Sequence, residues 1–112
     1  MNKDTVHDFI ASLSDVERGE SLGENLVAYT VKTGSEGEAK LFAIVDEGAA
    51  PLRVSLRCDP NLALVLREQY ETVLPGENLS RKDWNTVICS GQLSDDEVYD
   101  LVRHAHLLVA GV

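Results

Sequence analysis

Residues 52–60, with the sequence LRVSLRCDP, place two strong structural signals side by side. Apolar and polar residues alternate with period two over the first seven positions, which is typical of a strand with one buried face. This alternation puts Arg53 and Arg57 together on the outer face. Asp59 and Pro60 then suit a helix start, because Asp can accept an amide hydrogen bond and proline loses only a donor without a partner. The segment therefore predicts a strand followed directly by a helix.

Short apolar runs on both sides of this strand predict further strands. The runs at 26–31 and 41–45 are rich in branched and aromatic residues, and the glycine-containing turn at 33–37 favours a hairpin. Residues 73–79 contain a proline that could not donate to a central ladder, so we expect only a short edge strand there. The last predicted strand covers 84–89.

Helical periodicity marks three segments. Apolar residues recur at helical spacing over 3–13 and from 60 to about 70, and a third helix begins at the capping box formed by Ser94 and Glu97. Residues 14–25 combine acids with glycine and serine. We expect them to form an exposed, mobile connection.

The resulting element order is α-β3-α-β2-α. The connections between strands are too short for parallel crossovers, so the order predicts an α+β fold with helices packed on a mostly antiparallel sheet. A chain of 112 residues suffices for one ordinary core. We therefore expect a single domain over residues 1–112.

The composition excludes several classes of function. Nineteen acidic and ten basic residues give a net charge of −9, which opposes non-specific attraction to nucleic-acid backbones and anionic lipid. No stretch is long and apolar enough for a membrane helix, and the first residues lack the pattern of a signal peptide. The two cysteines lie outside any CxxC motif and fit reduced thiols. We expect a cytoplasmic protein without a membrane partner.

No pattern of catalytic residues is recognisable in the sequence. Phosphate-binding glycine loops, nucleophile elbows and HExxH zinc motifs are absent. His104 and His106 would point about 200° apart on a helix, which prevents joint ligation of one ion. Cys58 and Cys89 end predicted strands, where a small thiol packs as a hydrophobe, with a redox role as the alternative. We expect no enzyme, no cofactor and no metal centre.

A group of acids near the start of the chain could offer oxygen ligands to a hard cation. The alternative is a solubilising surface. The acids are Asp4, Asp8, Asp15, Glu17, Glu20 and Glu24.

Half of the ten basic residues lie between 51 and 93, in a segment with no net charge. We expect four of them to form one local positive patch, if the outer face of the strand lies near the turn at Ser80. The four are Arg53, Arg57, Arg81 and Lys82. Trp84 lies beside this patch and would either stack on a base or belong to the core.

Several motifs occur in an order that resembles the MmcQ/YjbR family. They are Lys40–Ala43, Val54–Pro60, Leu66–Tyr70, Pro75–Gly76, Arg81–Val87 and Leu107–Val109. The resemblance implies a fold similar to CyaY (frataxin-like) and secretion-chaperone-like domains, in the element order given above. It also implies DNA binding through a double-wing arrangement.

The chain departs from the family pattern near the turn at Ser80. Glu77 and Asp83 are carboxylates at positions where the family has aromatic or basic groups. Negative charge beside the patch lowers its expected affinity for phosphate.

Three functions follow as hypotheses. The first is DNA binding through the positive patch, with Trp84 stacking or structural. The second is a protein–protein adaptor that binds an acidic partner, through the sheet face or the connection at 14–25. The third is weak cation binding on the acidic N-terminal ridge.

Overall fold

Three helices and six strands make up the part of the chain that the computed structural model describes, residues 2–19, 23, 25–33, 37–76 and 79–110. In chain order they are α1 (Lys3–Ala11), β1 (Val16–Arg18), β2 (Leu26–Thr33), β3 (Glu38–Asp46), β4 (Arg53–Arg57), α2 (Pro60–Gln69), β5 (Val73–Pro75), β6 (Trp84–Ile88) and α3 (Asp95–Ala110). The α+β class predicted from the sequence is confirmed.

All six strands belong to one sheet with the order β1-β2-β3-β4-β6-β5. Every neighbouring pair is antiparallel. Strand β4 lies inside the sheet, where Val54 is opposite Val45 of β3 and Val87 of β6. The predicted edge strand is β5, which pairs with β6 only.

The helices cover one face of the sheet. Val54 and Leu56 of β4 are 0% and 2% exposed, and they belong to one core cluster with Val102 and Ala105 of α3 and with Ile10 of α1. The predicted alternation along β4 is therefore confirmed. Its other residues face away from α3, where Ser55 Oγ lies 2.8 Å from Thr86 Oγ1 of β6.

A β-bulge interrupts the pairing of β2 with β3. Ala43 is opposite Tyr29 and Leu41 is opposite Thr30, so Phe42 has no partner in the register. One extra residue in a strand reverses the face to which the following side chains point. As a consequence, Lys40 is opposite the buried Val31 and lies on the helix-covered face.

The connection predicted between α1 and β2 contains an additional strand. Val16–Arg18 forms the sheet edge as β1, against Tyr29–Val31 of β2. The prediction of a mobile connection was wrong for these residues, which have no apolar pattern. Backbone hydrogen bonds to β2 hold the strand. An exposed ion pair between Lys32 Nζ and Glu17 Oε1, at 2.9 Å, also joins β1 to β2. The acids Glu20 and Glu24 lie outside the described residues.

The predicted helix starts are confirmed by their hydrogen bonds. Asp59 Oδ1 accepts from the amides of Asn61 and Leu62 at the start of α2. At α3, the Glu97 amide donates to Ser94 Oγ, and the Ser94 amide donates to Glu97 Oε1. Hydrogen bonds from the Ser94 amide and the Ser94 side chain to the Glu97 carboxylate lower the pKa of Glu97.

A buried polar network fastens α1 to the sheet. His7 Nε2 lies 2.8 Å from Glu47 Oε2, and His7 Nδ1 lies 2.5 Å from the hydroxyl of Tyr29. A carboxylate only accepts, so Nε2 carries a proton and donates to Glu47, while Nδ1 forms the hydrogen bond with the Tyr29 hydroxyl. Burial, followed by the charges of Glu47 and Asp8, raises the pKa of Tyr29, whereas Arg18 opposes the rise.

We expect His7→Ala to lower the free energy of unfolding by about 2 to 3 kcal/mol, because both hydrogen bonds of the ring are lost and the hydroxyl of Tyr29, a residue only 1% exposed, keeps only Arg18 as a partner among the described residues. Urea denaturation measures this loss. Glu47→Gln keeps an acceptor for Nε2 and serves as the control, with an expected loss below about 1 kcal/mol. Equal losses in the two variants would contradict the role assigned to His7.

Candidate binding site

An open cleft of about 660 Å³ lies where the end of β4 meets the C-terminal turn of α3. Its volume falls within the range of about 300 to 1,000 Å³ that is common for ligand sites. The residues that line it are Lys40, Arg57, Cys58, Asp59, Pro60, Lys82, Asp83, Leu108 and Val109. Three cations, two carboxylates and an apolar wall therefore surround one opening.

The junction between β4 and α2 forms the floor of the cleft. The Cys58 amide donates to the carbonyl of Asp83 over 2.7 Å, which ties the junction to the turn before β6. The Asp59 amide donates to Nε2 of His104 over 3.1 Å, which ties it to α3. The Asp59 carboxylate also caps α2, so the junction is bonded to the turn before β6, to α3 and to the start of α2.

Arg57 is held in place by three kinds of contact. Its Nε donates to the carbonyl of Leu41 over 2.6 Å, and its guanidinium carbon lies 5.1 Å from the centre of the Trp84 ring. Its Nη1 lies 3.9 Å from Oδ2 of Asp83, at the outer limit of an ion pair. Arg57 is therefore a positioned cation whose charge Asp83 partly balances.

Lys40 and Lys82 are the exposed cations of the cleft. Both side chains are exposed, and neither makes a salt bridge to any residue within the described ranges. An exposed ammonium group that makes no salt bridge does not have to break one in order to bind an anion. These two lysines are the groups best suited to receive a negatively charged ligand.

Arg67 of α2 positions the turn that carries Lys82. Its Nε donates to Oδ1 of the buried Asn85 over 2.6 Å, and its Nη2 donates to the carbonyls of Arg81 and Trp84. Asn85 in turn donates to the carbonyl of Ala63. Arg67 thus joins α2, β6 and the turn at Arg81. The sequence analysis did not identify this role of Arg67.

The structure divides the predicted positive patch. Arg57 and Lys82 line the cleft together, and Arg81 lies next to Lys82 on an exposed turn. Arg53 is at the opposite end of β4, about 13 Å along the strand from Arg57, and is opposite Asp46. Arg53 and Arg57 share the outer face of β4, but three residues of extended chain separate them, so Arg53 lies outside the cleft that Arg57 and Lys82 line.

Trp84 belongs to the interior. Its side chain is 3% exposed, and Arg57 covers the ring. A base could not stack on the ring without displacing Arg57. Of the two interpretations given for Trp84, the structure favours the core residue.

Lys40 is the cleft residue that the sequence analysis missed. Simple alternation along β3 does not predict its side, because the bulge at Phe42 reverses the face. A signal was present in the sequence, since Lys40 begins the Lys40–Ala43 motif.

The remaining candidate groups do not form a site among the described residues. Within those ranges, no three His, Cys, Asp or Glu side chains come together to hold a metal ion. Glu17 of the acidic ridge forms an ion pair with Lys32. Glu77, one of the two carboxylates that depart from the family pattern, lies outside the described residues. Asp83, the other departure, lines the cleft and faces Arg57.

Both cysteines are free thiols in the structure. Burial, followed by the charge of Asp59, raises the pKa of Cys58 to about 11, although Arg67 opposes the rise. Burial also raises the pKa of Cys89. A thiol with a raised pKa is a poor nucleophile, so Cys58 contributes shape to the cleft rather than reactivity.

Within the part of the chain that the structure describes, no helix combines the length and the apolarity needed to cross a bilayer.

Comparison with known proteins identifies relatives over most of the chain. The family model named YjbR matches residues 11–108. The uncharacterized protein YjbR of Escherichia coli strain K12 is 42% identical over 65 residues, and so is the protein of the same name from strain O157:H7. Each match covers 58% of this chain and spans 55% of the relative's length.

Two solved structures share the fold. The crystal structure of Deinococcus radiodurans protein DR2400, a DUF419 domain, has a TM-score of 0.87 at 26% identity, and the match covers 96% of this chain and 78% of that chain. The crystal structure of a Pseudomonas syringae protein, structural genomics target PsR293, has a TM-score of 0.73 at 19% identity, with coverages of 94% and 96%. The second similarity supports the fold alone.

We expect Arg67→Met to lower the free energy of unfolding by about 2 to 3 kcal/mol, because Asn85 keeps a buried oxygen without a donor. Chemical denaturation measures the loss, and amide spectra should change most at residues 79–84. Arg81→Met is the control, since its exposed side chain should change stability by less than about 0.5 kcal/mol. A stable Arg67→Met variant with an unchanged turn would contradict the role assigned to Arg67.

We expect Cys58 to resist alkylation in the folded protein. With a pKa of about 11, only about one thiol in a thousand is ionised at about pH 8, and burial further limits access. Iodoacetamide labelling of a Cys89→Ser variant, followed by mass spectrometry, should be slow until denaturant is added. Labelling of the native protein at the denatured rate would contradict the assigned burial.

Proposed function

The chain belongs to the YjbR family, and from this premise we propose that it is a non-catalytic binding domain whose cleft receives carboxylate groups of a partner protein. The observation that carries the proposal is the convergence of Lys40, Arg57 and Lys82 on one opening of a chain with a net charge of −9. Such local reversal of charge favours an anionic ligand at that place and repels it elsewhere.

The composition of the cleft favours a protein segment over nucleic acid. Asp59 and Asp83 line the opening beside the cations, and they would repel the closely spaced phosphates of DNA. Leu108 and Val109 form an apolar wall that a phosphate backbone does not use. An acidic peptide can place single carboxylates on the lysines and avoid both aspartates.

DNA binding remains a prediction for the same surface. It rests on Arg53, Arg57, Arg81 and Lys82, of which two line the cleft, and it would proceed without stacking on the buried Trp84. Two to four phosphate contacts give modest affinity that decreases strongly with salt. The two ligands can therefore be distinguished in one experiment.

Two features support a binding role without chemistry. The Cys58 thiol at the cleft has a raised pKa, and Nε2 of His104 accepts a backbone hydrogen bond and is not available as a base. The two free cysteines fit the reducing conditions of the cytoplasm.

We expect Lys40→Glu with Lys82→Glu to weaken the binding of a labelled, glutamate-rich peptide at least tenfold at low salt, because two attractive charges become repulsive. Fluorescence anisotropy measures the affinity. Lys3→Glu makes the same kind of charge change on an exposed residue outside the cleft and should leave the affinity within about twofold.

Duplex DNA is titrated in parallel with the same variants. Binding of DNA but not of the acidic peptide would overturn the proposal in favour of the nucleic-acid prediction. Absence of binding to either probe, or equal effects of the cleft and control substitutions, would overturn the proposal as well.

A further inference from the structure

Leu108 forms part of the cleft wall and yet stays 44% exposed. A large apolar side chain beside exposed lysines is a surface that gains free energy when a partner covers it. We infer that the segment bound in the cleft is an acidic peptide that also carries a large apolar side chain, which packs on Leu108. This inference rests on the function proposed above.

The cleft is divided into a charged and an apolar side. Lys40 and Lys82 supply the exposed ammonium groups of the charged side. The apolar side consists of Pro60 at the start of α2 and of Leu108 and Val109 near the end of α3. Leu64 is 56% exposed and lies one helical turn beyond Pro60 on α2, so it extends the apolar side along that helix. A ligand that fills the cleft has to match both sides.

Magnitudes show why charge alone is insufficient. An exposed ion pair changes a dissociation constant by about fivefold at most, and Asp83 already balances part of the charge of Arg57. Covering a leucine contributes about tenfold or more. A peptide with carboxylates and one apolar side chain therefore binds substantially more tightly than a peptide with carboxylates alone.

Charge complementarity specifies the chemistry of the occupant. The acidic body of the chain repels a purely anionic polymer, and the aspartates of the cleft penalise a ligand whose negative charges are densely spaced. Acidic residues separated by an apolar residue can reach Lys40 and Lys82 while the apolar residue contacts Leu108. This pattern is typical of acidic–hydrophobic segments that become ordered on binding.

The test compares three labelled peptides of equal length by fluorescence anisotropy. The first contains glutamates around two leucines, the second replaces the leucines with serine, and the third replaces the glutamates with glutamine. We expect the first to bind the native protein at least tenfold more tightly than the second or the third.

Two adjacent leucines of α3 provide a matched pair of variants. Leu108→Gln should weaken binding of the first peptide about tenfold. Leu107→Gln should leave it unchanged, because Leu107 is 50% exposed but does not line the cleft. Far-UV circular dichroism verifies that both variants are folded.

The outcomes separate this inference from the proposed function. One outcome refutes the apolar contact and leaves the carboxylate site in place. In that outcome the first two peptides bind equally, Leu108→Gln does not change the affinity, and the double variant Lys40→Glu with Lys82→Glu weakens binding. If neither acidic peptide binds, the proposed function and the inference both fail. Equal effects of the Leu108 and Leu107 substitutions would also refute the contact.

Discussion

The hydrogen bonds of residues 58 and 59 connect the turn before β6, α2 and α3, which are three of the elements that form the cleft. The Cys58 amide donates to the carbonyl of Asp83, and the Asp59 amide donates to His104 Nε2. The Asp59 carboxylate caps the first turn of α2. The sheet, the turn before β6 and two helices therefore meet at fixed distances. Loss of these bonds would separate the cationic turn from the apolar end of α3, and the cleft would lose one of its walls.

The arrangement of charge gives this junction its functional meaning. The chain carries a net charge of −9, which repels an approaching anion, but cations from β3, β4 and the turn at residues 81–83 converge on one opening. Arg57 is fixed by Leu41 and Trp84, and Lys82 is carried by a turn that Arg67 holds. The cleft thus combines one arginine that is fixed by its neighbours with two exposed ammonium groups, which is the arrangement on which the proposed function rests.

Local features of the sequence predicted the local structure correctly. The alternation along β4, the cap at Asp59 and the box at Ser94 depend on neighbouring residues, and each is present. Strand β1 escaped prediction because backbone hydrogen bonds to β2 hold it, and these leave no pattern in side chains. Lys40 escaped because its orientation depends on pairing with a distant strand. In the predicted patch, strand length separates Arg53 from Arg57, and only Arg57 lines the cleft with Lys82. No local pattern in the sequence indicates which end of β4 lies near the turn at Ser80.

The unpaired Phe42 has a consequence for how such a chain can diverge. Its ring is fully buried and meets the ring of His106 edge-on at 5.7 Å, so the irregular residue is itself part of the interior. Loss of the Phe42 codon would restore a regular ladder in which Leu41 stays opposite Thr30 and Lys40 stays opposite Val31, so Lys40 would keep its present face. A deletion at the bulge would therefore remove a buried aromatic ring from the core and leave the cleft lysine in place, so packing rather than charge limits divergence at this position.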